Sequence, residues 1–210
     1  MKPKIRILIV DDHAMIRYAL AQSINYQKDL LLVGEASDGE EALKLYRKHR
    51  PDVVTMDYKL TGANGIKTTA AIRAEFPEAR VLLISIYEGD EDIWRAVQAG
   101  AAGYVSKSVR TEEIISVIRE IARGNSYFSA GLAEKIANRR PEENLTPREQ
   151  SVLAQIVAGH SNKEIMTAMG MSGPAVKRRI ENIYAKLHVI DRTQAATAAV
   201  QRGIVHLDEL

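Results

Sequence analysis

Five short runs of aliphatic and β-branched residues alternate with amphipathic stretches of helix length through the first part of this 210-residue chain. The runs are Ile5–Val10, Leu31–Ala36, Val53–Met56, Val81–Ile86 and Gly103–Ser106. Between them lie Ala14–Asn25, Gly39–His49, Gly65–Phe76 and Glu91–Ala99, and Thr111–Ala122 follows the last. Continuous apolar strands separated by helix-length segments cannot form a hairpin sheet with one wet face. They require parallel strands with helices on both sides, a doubly wound α/β domain. In such a sheet with strand order 2-1-3-4-5, the reactive groups belong at the carboxyl ends of the strands, beside the point where the order reverses.

The alternation stops after Gly124. Asn125–Ser129 is polar and turn-rich, a short helix is expected at Ala130–Asn138, and Arg139–Asn144 is charged and carries Pro141. From Leu145 every signal is helical. Thr146-Pro147-Arg148-Glu149 supplies an N-cap, a proline in the first turn and a capping-box glutamate, and Ser161-Asn162-Lys163-Glu164 repeats the device after Gly159. A third helix follows Gly170-Met171-Ser172, and Asp191 caps a fourth, Ala-rich one. The expected organisation is therefore α/β plus all-α: residues 1–124, a linker at 125–143, and a four-helix unit at 144–210.

Cysteine is absent, which excludes disulfides, thiolate metal sites and a cysteine nucleophile. The apolar run Ile7–Val10 near the N-terminus is closed by Asp11 and Asp12, far short of a signal core or a span of about 20 residues. A cytoplasmic protein with no membrane association is expected. The formal net charge of +2 taken alone argues against nucleic acid and towards an enzyme of small substrates. Charges balance over residues 1–124, however, so the excess falls in the second part, where Lys177, Arg178 and Arg179 are consecutive. Such a run is also what an ordinary solvated helix face contains.

Asp11 and Asp12 directly follow the first strand and Asp57 follows the third, so the expected topology gathers three carboxylates at adjacent strand ends. Crowded acids raise one another's pKa, and a hard divalent cation bound through oxygen keeps them ionised; Mg²⁺ is the implied cofactor. Singly, the acids also read as a helix cap and a turn opener. Ser85 after the fourth strand and Lys107 after the fifth add a hydroxyl donor and a cation at the same edge. Together these groups suit a phosphoryl group carried on a carboxylate.

This set closely resembles the receiver domain of bacterial two-component response regulators, over nearly all of residues 5–123. The resemblance implies a flavodoxin-like fold, with Asp57 as phosphoacceptor and Asp11 and Asp12 as Mg²⁺ ligands. It also implies Lys59 as a backbone-carbonyl ligand, Ser85 and Lys107 as phosphate-sensing groups, and Tyr104 as the aromatic of the switch. A partner sensor histidine kinase would supply the phosphoryl group. One departure stands out, in that Leu60-Thr61 replaces the family's common Met-Pro pair; the resemblance also puts Lys59 and Tyr87 at positions that influence access of water to the acyl phosphate. Their bulk and charge are expected to prolong the phosphorylated state. His13 beside the acids is read as a structural or surface residue.

In the third helix of the second unit, Val176, Ile180, Ile183 and Leu187 form one stripe at helical spacing. Arg178, Glu181, Asn182 and Ala185 lie opposite, flanked by Lys177 and Arg179. A basic, hydrogen-bonding outer face on the later helix of a helix-turn-helix is suited to a major groove. Residues 143–207 resemble the LuxR-type DNA-binding domain, and the whole chain resembles the NarL/FixJ class of response regulators. That implies double-stranded promoter DNA as a partner, with Asn162, Lys163, Ser172, Lys177, Arg178, Arg179, Glu181 and Asn182 at the DNA. It further implies a homodimer helped by the last helix, and RNA polymerase as a candidate partner. Arg179, Ala175 and Glu181 depart from the family's usual residues, so the target sequence does not carry over. No enzyme activity is expected beyond Mg²⁺-dependent self-phosphorylation from a donor and slow self-dephosphorylation. Two alternatives remain open at this point: an Asp-nucleophile phosphatase, and a binding module whose first domain senses a small ligand without phosphorylation.

Overall fold

The computed structural model describes residues 3–60, 63–128 and 144–210. The expected linker helix at Ala130–Asn138 lies outside them. The order of elements in the first unit is β1 (Ile5–Val10), α1 (Ala14–Asn25), β2 (Leu30–Ala36), α2 (Gly39–His49), β3 (Val53–Asp57), β4 (Lys59–Leu60) and β5 (Ala63–Asn64), continuing with α3 (Gly65–Glu75), β6 (Val81–Ser85), α4 (Asp90–Gln98), β7 (Gly103–Ser106) and α5 (Thr111–Ala122). The second unit contains α6 (Pro147–Val157), α7 (Asn162–Met169), α8 (Gly173–Leu187), α9 (Arg192–Gln201) and a terminal 3-10 turn at Leu207–Glu209.

The main sheet has the order β2-β1-β3-β6-β7, with every neighbouring pair parallel, as the sequence implies. β3 and β6 are buried along their whole length, which accounts for their unbroken apolar runs. Val10 pairs with Met56, Asp57 with Ile84 and Ser85 with Ser106, so these strand ends lie level and the residues just beyond them share one edge. The order reverses between β1 and β3, and Asp11 and Asp57 flank that crevice. Ile7, Ile9, Val53 and Leu82 on one face of the sheet form a core with Leu20 and Ile24 of α1 and Ile115, Ile118 and Ile121 of α5.

Element ends differ from expectation by a residue or so. The run at residue 81 stops at Ser85, because the Ser85 hydroxyl accepts a hydrogen bond from the Tyr87 N–H at 2.9 Å and turns the chain out of the ladder. Ile86 is consequently exposed. The antiparallel pair β4 and β5 was not anticipated: each strand is two residues long, too short for a periodicity signal. Tyr127, beyond the expected end of the first domain, bridges Gly103 in parallel, its N–H donating to the Ala102 carbonyl and its carbonyl accepting from the Tyr104 N–H. It thereby covers part of the sheet's edge strand.

In the second unit both expected capping boxes form. Thr146 and Ser161 accept from the backbone N–H of Glu149 and Glu164, whose carboxylates accept in return from the cap N–H groups. Gly170 ends α7 in the left-handed conformation that glycine tolerates best, at φ 60°. Val152, Leu153, Ile156, Ile165, Val176, Ile180, Ile183, Leu187, Ala195, Ala199 and Val205 form its core.

Candidate functional site: an acidic pocket and an exposed recognition face

Asp11 and Asp57 are each 4% exposed. One ammonium serves both: Lys107 Nζ lies 2.9 Å from Asp11 Oδ2 and 2.7 Å from Asp57 Oδ2. The Lys107 N–H donates to the Ser85 carbonyl, which ties the loop carrying the lysine to β6. The other Asp11 oxygen accepts from the His13 N–H at 2.8 Å, and Asp57 Oδ1 accepts from the Lys59 N–H at 3.3 Å. Burial pushes the Asp57 carboxyl above its ordinary range and the Asp11 charge adds to that, against the pull of Lys107. Burial also works against the Lys107 charge, but the hydrogen bonds it donates to Asp57 and Asp11 outweigh it and hold the ammonium above its usual value.

Ligand atoms of Asp11, Asp12, His13 and Asp57 all lie within 4.8 Å of one another. Three carboxylates, two of them sharing one lysine, keep an excess of negative charge, and their hard oxygen donors fit a divalent cation such as Mg²⁺. His13, which the sequence reading set aside, belongs to this cluster, with Nδ1 at 2.7 Å from Asp12 Oδ1, although its side chain is 66% exposed.

Two neighbours were missed from sequence. Gly65 opens α3 against the phosphoacceptor candidate: a Cβ there would stand 1.9 Å from the Asp57 carbonyl oxygen, and backbone cannot swing aside as a side chain can. The Asn64-Gly65 pair, with Asn64 Oδ1 capping the Ile66 N–H, is the signal that could have found it. Tyr58, 2% exposed, stands edge-on to the rings of Tyr87 and Tyr104, at centroid distances of 5.6 and 6.3 Å. Tyr104, the aromatic expected in the switch, is buried in the structure, and its hydroxyl donates to the Tyr87 carbonyl at 2.9 Å. Ser85 is buried at the end of β6.

The second unit presents the expected face. Val176, Ile180, Ile183 and Leu187 of α8 are buried, while Lys177, Arg178, Glu181 and Asn182 are exposed, as are Asn162 and Lys163 of α7 and Ser172 between them. Arg179 differs: it is half-buried, and its Nε is enclosed without a hydrogen-bond partner among the described residues. Behind the face, Lys186 Nζ contacts Glu149 Oε2 at 2.7 Å and the Asn144 carbonyl at 2.9 Å. That bond ties α8 to the capping box of α6.

A doubly wound domain with an acidic pocket at its switch point, followed by a helix-turn-helix unit, defines a two-domain signalling regulator. Residues 7–119 match the family of response regulator receiver domains, and residues 143–199 match the luxR family of bacterial regulatory proteins. The chain belongs to the two-component response regulators with a LuxR-type DNA-binding domain. It is 34% identical over 206 residues to the response regulator protein VraR of Staphylococcus aureus, a match covering 96% of this chain and 99% of VraR. A LuxR-family response regulator from Aurantimonas sp. SI85-9A1 is similar over 64% of this chain and 96% of its own, with 37% identity and a TM-score of 0.59. The response regulator RcsB in its DNA complex shares the fold, with a TM-score of 0.66 at 16% identity over 94% of this chain and 98% of the RcsB chain. Among the described residues, no helix is long and apolar enough to cross a membrane.

Proposed function

We propose that this response regulator is a phosphorylation-controlled, cytoplasmic transcription factor in which Asp57 accepts a phosphoryl group from a phosphohistidine of a partner sensor histidine kinase. The observation that carries this reading is the buried Asp57 carboxylate at the end of β3, sharing Lys107 with Asp11. In the transfer, an Asp57 oxygen bonds to phosphorus as the phosphorus–nitrogen bond to the kinase imidazole breaks, and the electron pair leaves with that nitrogen. Asp11, Asp12, Asp57 and the Lys59 backbone carbonyl would hold Mg²⁺. When bound, the ion neutralises charge on the phosphoryl oxygens.

The chain's own groups then read the modification. Ser85 Oγ accepts from the Tyr87 N–H, which leaves its proton to donate to a phosphoryl oxygen. Lys107 spends two of its three ammonium donors on Asp11 and Asp57, and the third serves the same purpose. A pull on Ser85 passes to Tyr87 and, through the bond to its carbonyl, to Tyr104. Movement of this chain is the switch. The reading takes residues 1–124 as the receiver, 125–143 as linker and 144–210 as the DNA-binding domain. Phosphorylation controls dimerisation, helped by α9, and binding to promoter DNA, where RNA polymerase is recruited or excluded. Lys177, Arg178, Glu181 and Asn182 meet base edges, with Asn162, Lys163, Ser172 and Arg179 around them. Catalysis is limited to Mg²⁺-dependent self-phosphorylation from a donor and slow self-dephosphorylation.

Binding to a pool of genomic fragments, with and without acetyl phosphate and Mg²⁺, tests this reading in the wild type, Asp57→Asn and Arg178→Ala. The donor is expected to tighten specific binding about tenfold in the wild type alone, a common size for coupling between sites. Arg178→Ala is expected to lose the footprint while keeping its circular dichroism spectrum. An equal response in Asp57→Asn would overturn the acceptor, and an unchanged footprint in Arg178→Ala would overturn the reading face.

A further inference from the structure

Arg17 occupies a position on α1 where the helical pattern calls for an apolar side chain. Leu20, Ala21 and Ile24 are the buried residues of that helix, and position 17 precedes them by three, four and seven residues, on the same stripe. A half-buried guanidinium there gives up hydration that a leucine or methionine would not have to lose. What the arginine makes in return is one contact. Its Nη1 donates to the backbone carbonyl of Asp11 at 2.6 Å, the only hydrogen bond this carbonyl accepts among the described residues.

That carbonyl belongs to the peptide joining the two acids of the pair, so its direction governs how Asp11 and Asp12 project from the end of β1. The other polar atoms of Asp11 are engaged as well: its N–H donates to the Ala36 carbonyl at 3.2 Å, Oδ1 accepts from the His13 N–H and Oδ2 from Lys107. Arg17 completes this set from one turn inside the helix that the acids lead into. Neither the phosphoryl transfer nor the sensing of phosphate described above uses it.

We infer that Arg17 is a positioning residue for divalent-cation binding: it fixes the Asp11–Asp12 peptide and, through it, the ligand oxygens of the pair. The inference rests on the reading of Asp11, Asp12 and Asp57 as the Mg²⁺ site. Contacts that orient a metal's ligands commonly carry about ten- to hundredfold in affinity. Charge alone would act in the opposite sense, because a guanidinium beside a cation site repels the ion and its removal would tighten binding. The two roles therefore differ in sign.

Mn²⁺, which takes the same oxygen donors, is the probe. Its binding to the full-length protein is followed by water-proton relaxation, with Mg²⁺ as competitor, in the wild type, Asp12→Ala, Arg17→Met and Arg17→Lys. Saturable binding that is lost in Asp12→Ala is expected of the wild type; its absence, or its persistence in Asp12→Ala, would overturn the Mg²⁺ reading and this inference with it. Arg17→Met is expected to weaken Mn²⁺ about tenfold. Its thermal midpoint without metal should stay level or rise, because an apolar side chain suits the buried stripe. Arg17→Lys, which can still donate to the carbonyl, should recover most of the loss. Unchanged or tighter binding in Arg17→Met would overturn the role of Arg17 and leave the Mg²⁺ reading standing, as would a lysine variant as weak as the methionine one. A lowered midpoint accompanying weaker binding would make the arginine a residue of the fold and overturn its positioning role too.

Discussion

Asp57 illustrates how a single carboxylate is held buried at the expense of the fold. Its neighbours were legible because an acid after a strand, a hydroxyl after another and a lysine after a third converge once the topology is known. Gly65 and Tyr58 were not, because their roles depend on what lies a few ångströms away across the fold. Burial and the Asp11 charge hold the Asp57 carboxyl above its ordinary range. A carboxyl whose folded pKa is raised favours the fold only while protonated; that stability is lost as pH rises through the folded value, so at neutral pH the ionised group is a burden. Without divalent metal at pH 7, Asp57→Asn is therefore expected to raise the urea midpoint of the receiver. The difference from wild type should shrink as pH falls below the ordinary carboxylate range. A lower midpoint at pH 7 would show that the Lys107 ion pair outweighs the burial cost.

At the scale of elements, the capping box of α6 does more than start a helix. Glu149 is 5% exposed, caps the Thr146 N–H at 2.7 Å and takes the Lys186 ammonium from α8 at 2.7 Å. Burial works against its charge, but Lys186 and the Thr146 donors outweigh it and hold the carboxyl below its usual value. A depressed carboxyl contributes stability above its unfolded pKa that disappears as pH falls through the folded one. The second unit is thus expected to lose stability on acidification below about pH 4.5, where an unperturbed glutamate begins to protonate. Glu149→Gln should flatten that slope and cost about 2 kcal/mol at pH 7. Thermal melts of the two proteins across pH provide the measurement, and parallel slopes would refute the assignment. The box was visible as Thr-Pro-Arg-Glu, but the lysine that completes it lies in another helix and left no sequence trace.

For the whole molecule, each unit has an apolar core of its own: one is built around Ile9, Val53 and Ile118, the other around Leu153, Val176 and Ile183. A fragment of residues 144–210 is accordingly expected to fold alone, with a helical spectrum and a cooperative thermal transition. Typical stability per residue puts its unfolding free energy at about 3 to 10 kcal/mol. A broad, non-cooperative melt would mean that the helices need the rest of the chain. The net charge of +2 also belongs to this scale, where it misleads. It averages a balanced α/β unit, with acid concentrated in one pocket, and a helical unit that carries the excess and exposes Lys177 and Arg178 on one helix.

The sequence by itself determined the alternation of strands and helices, the parallel sheet, both capping boxes and the identity of the acids, hydroxyl and lysine at the sheet edge. These are governed by periodicity, local backbone chemistry and strand order, all written in short windows of residues. Only the tertiary structure decided that one lysine serves two carboxylates, that His13 joins the acid cluster, and that Tyr104 is buried with its hydroxyl on Tyr87. It also decided that Gly65 abuts the Asp57 backbone. Each of these rests on contacts between distant residues at atomic range, where burial and geometry set the energy and no local pattern encodes the outcome.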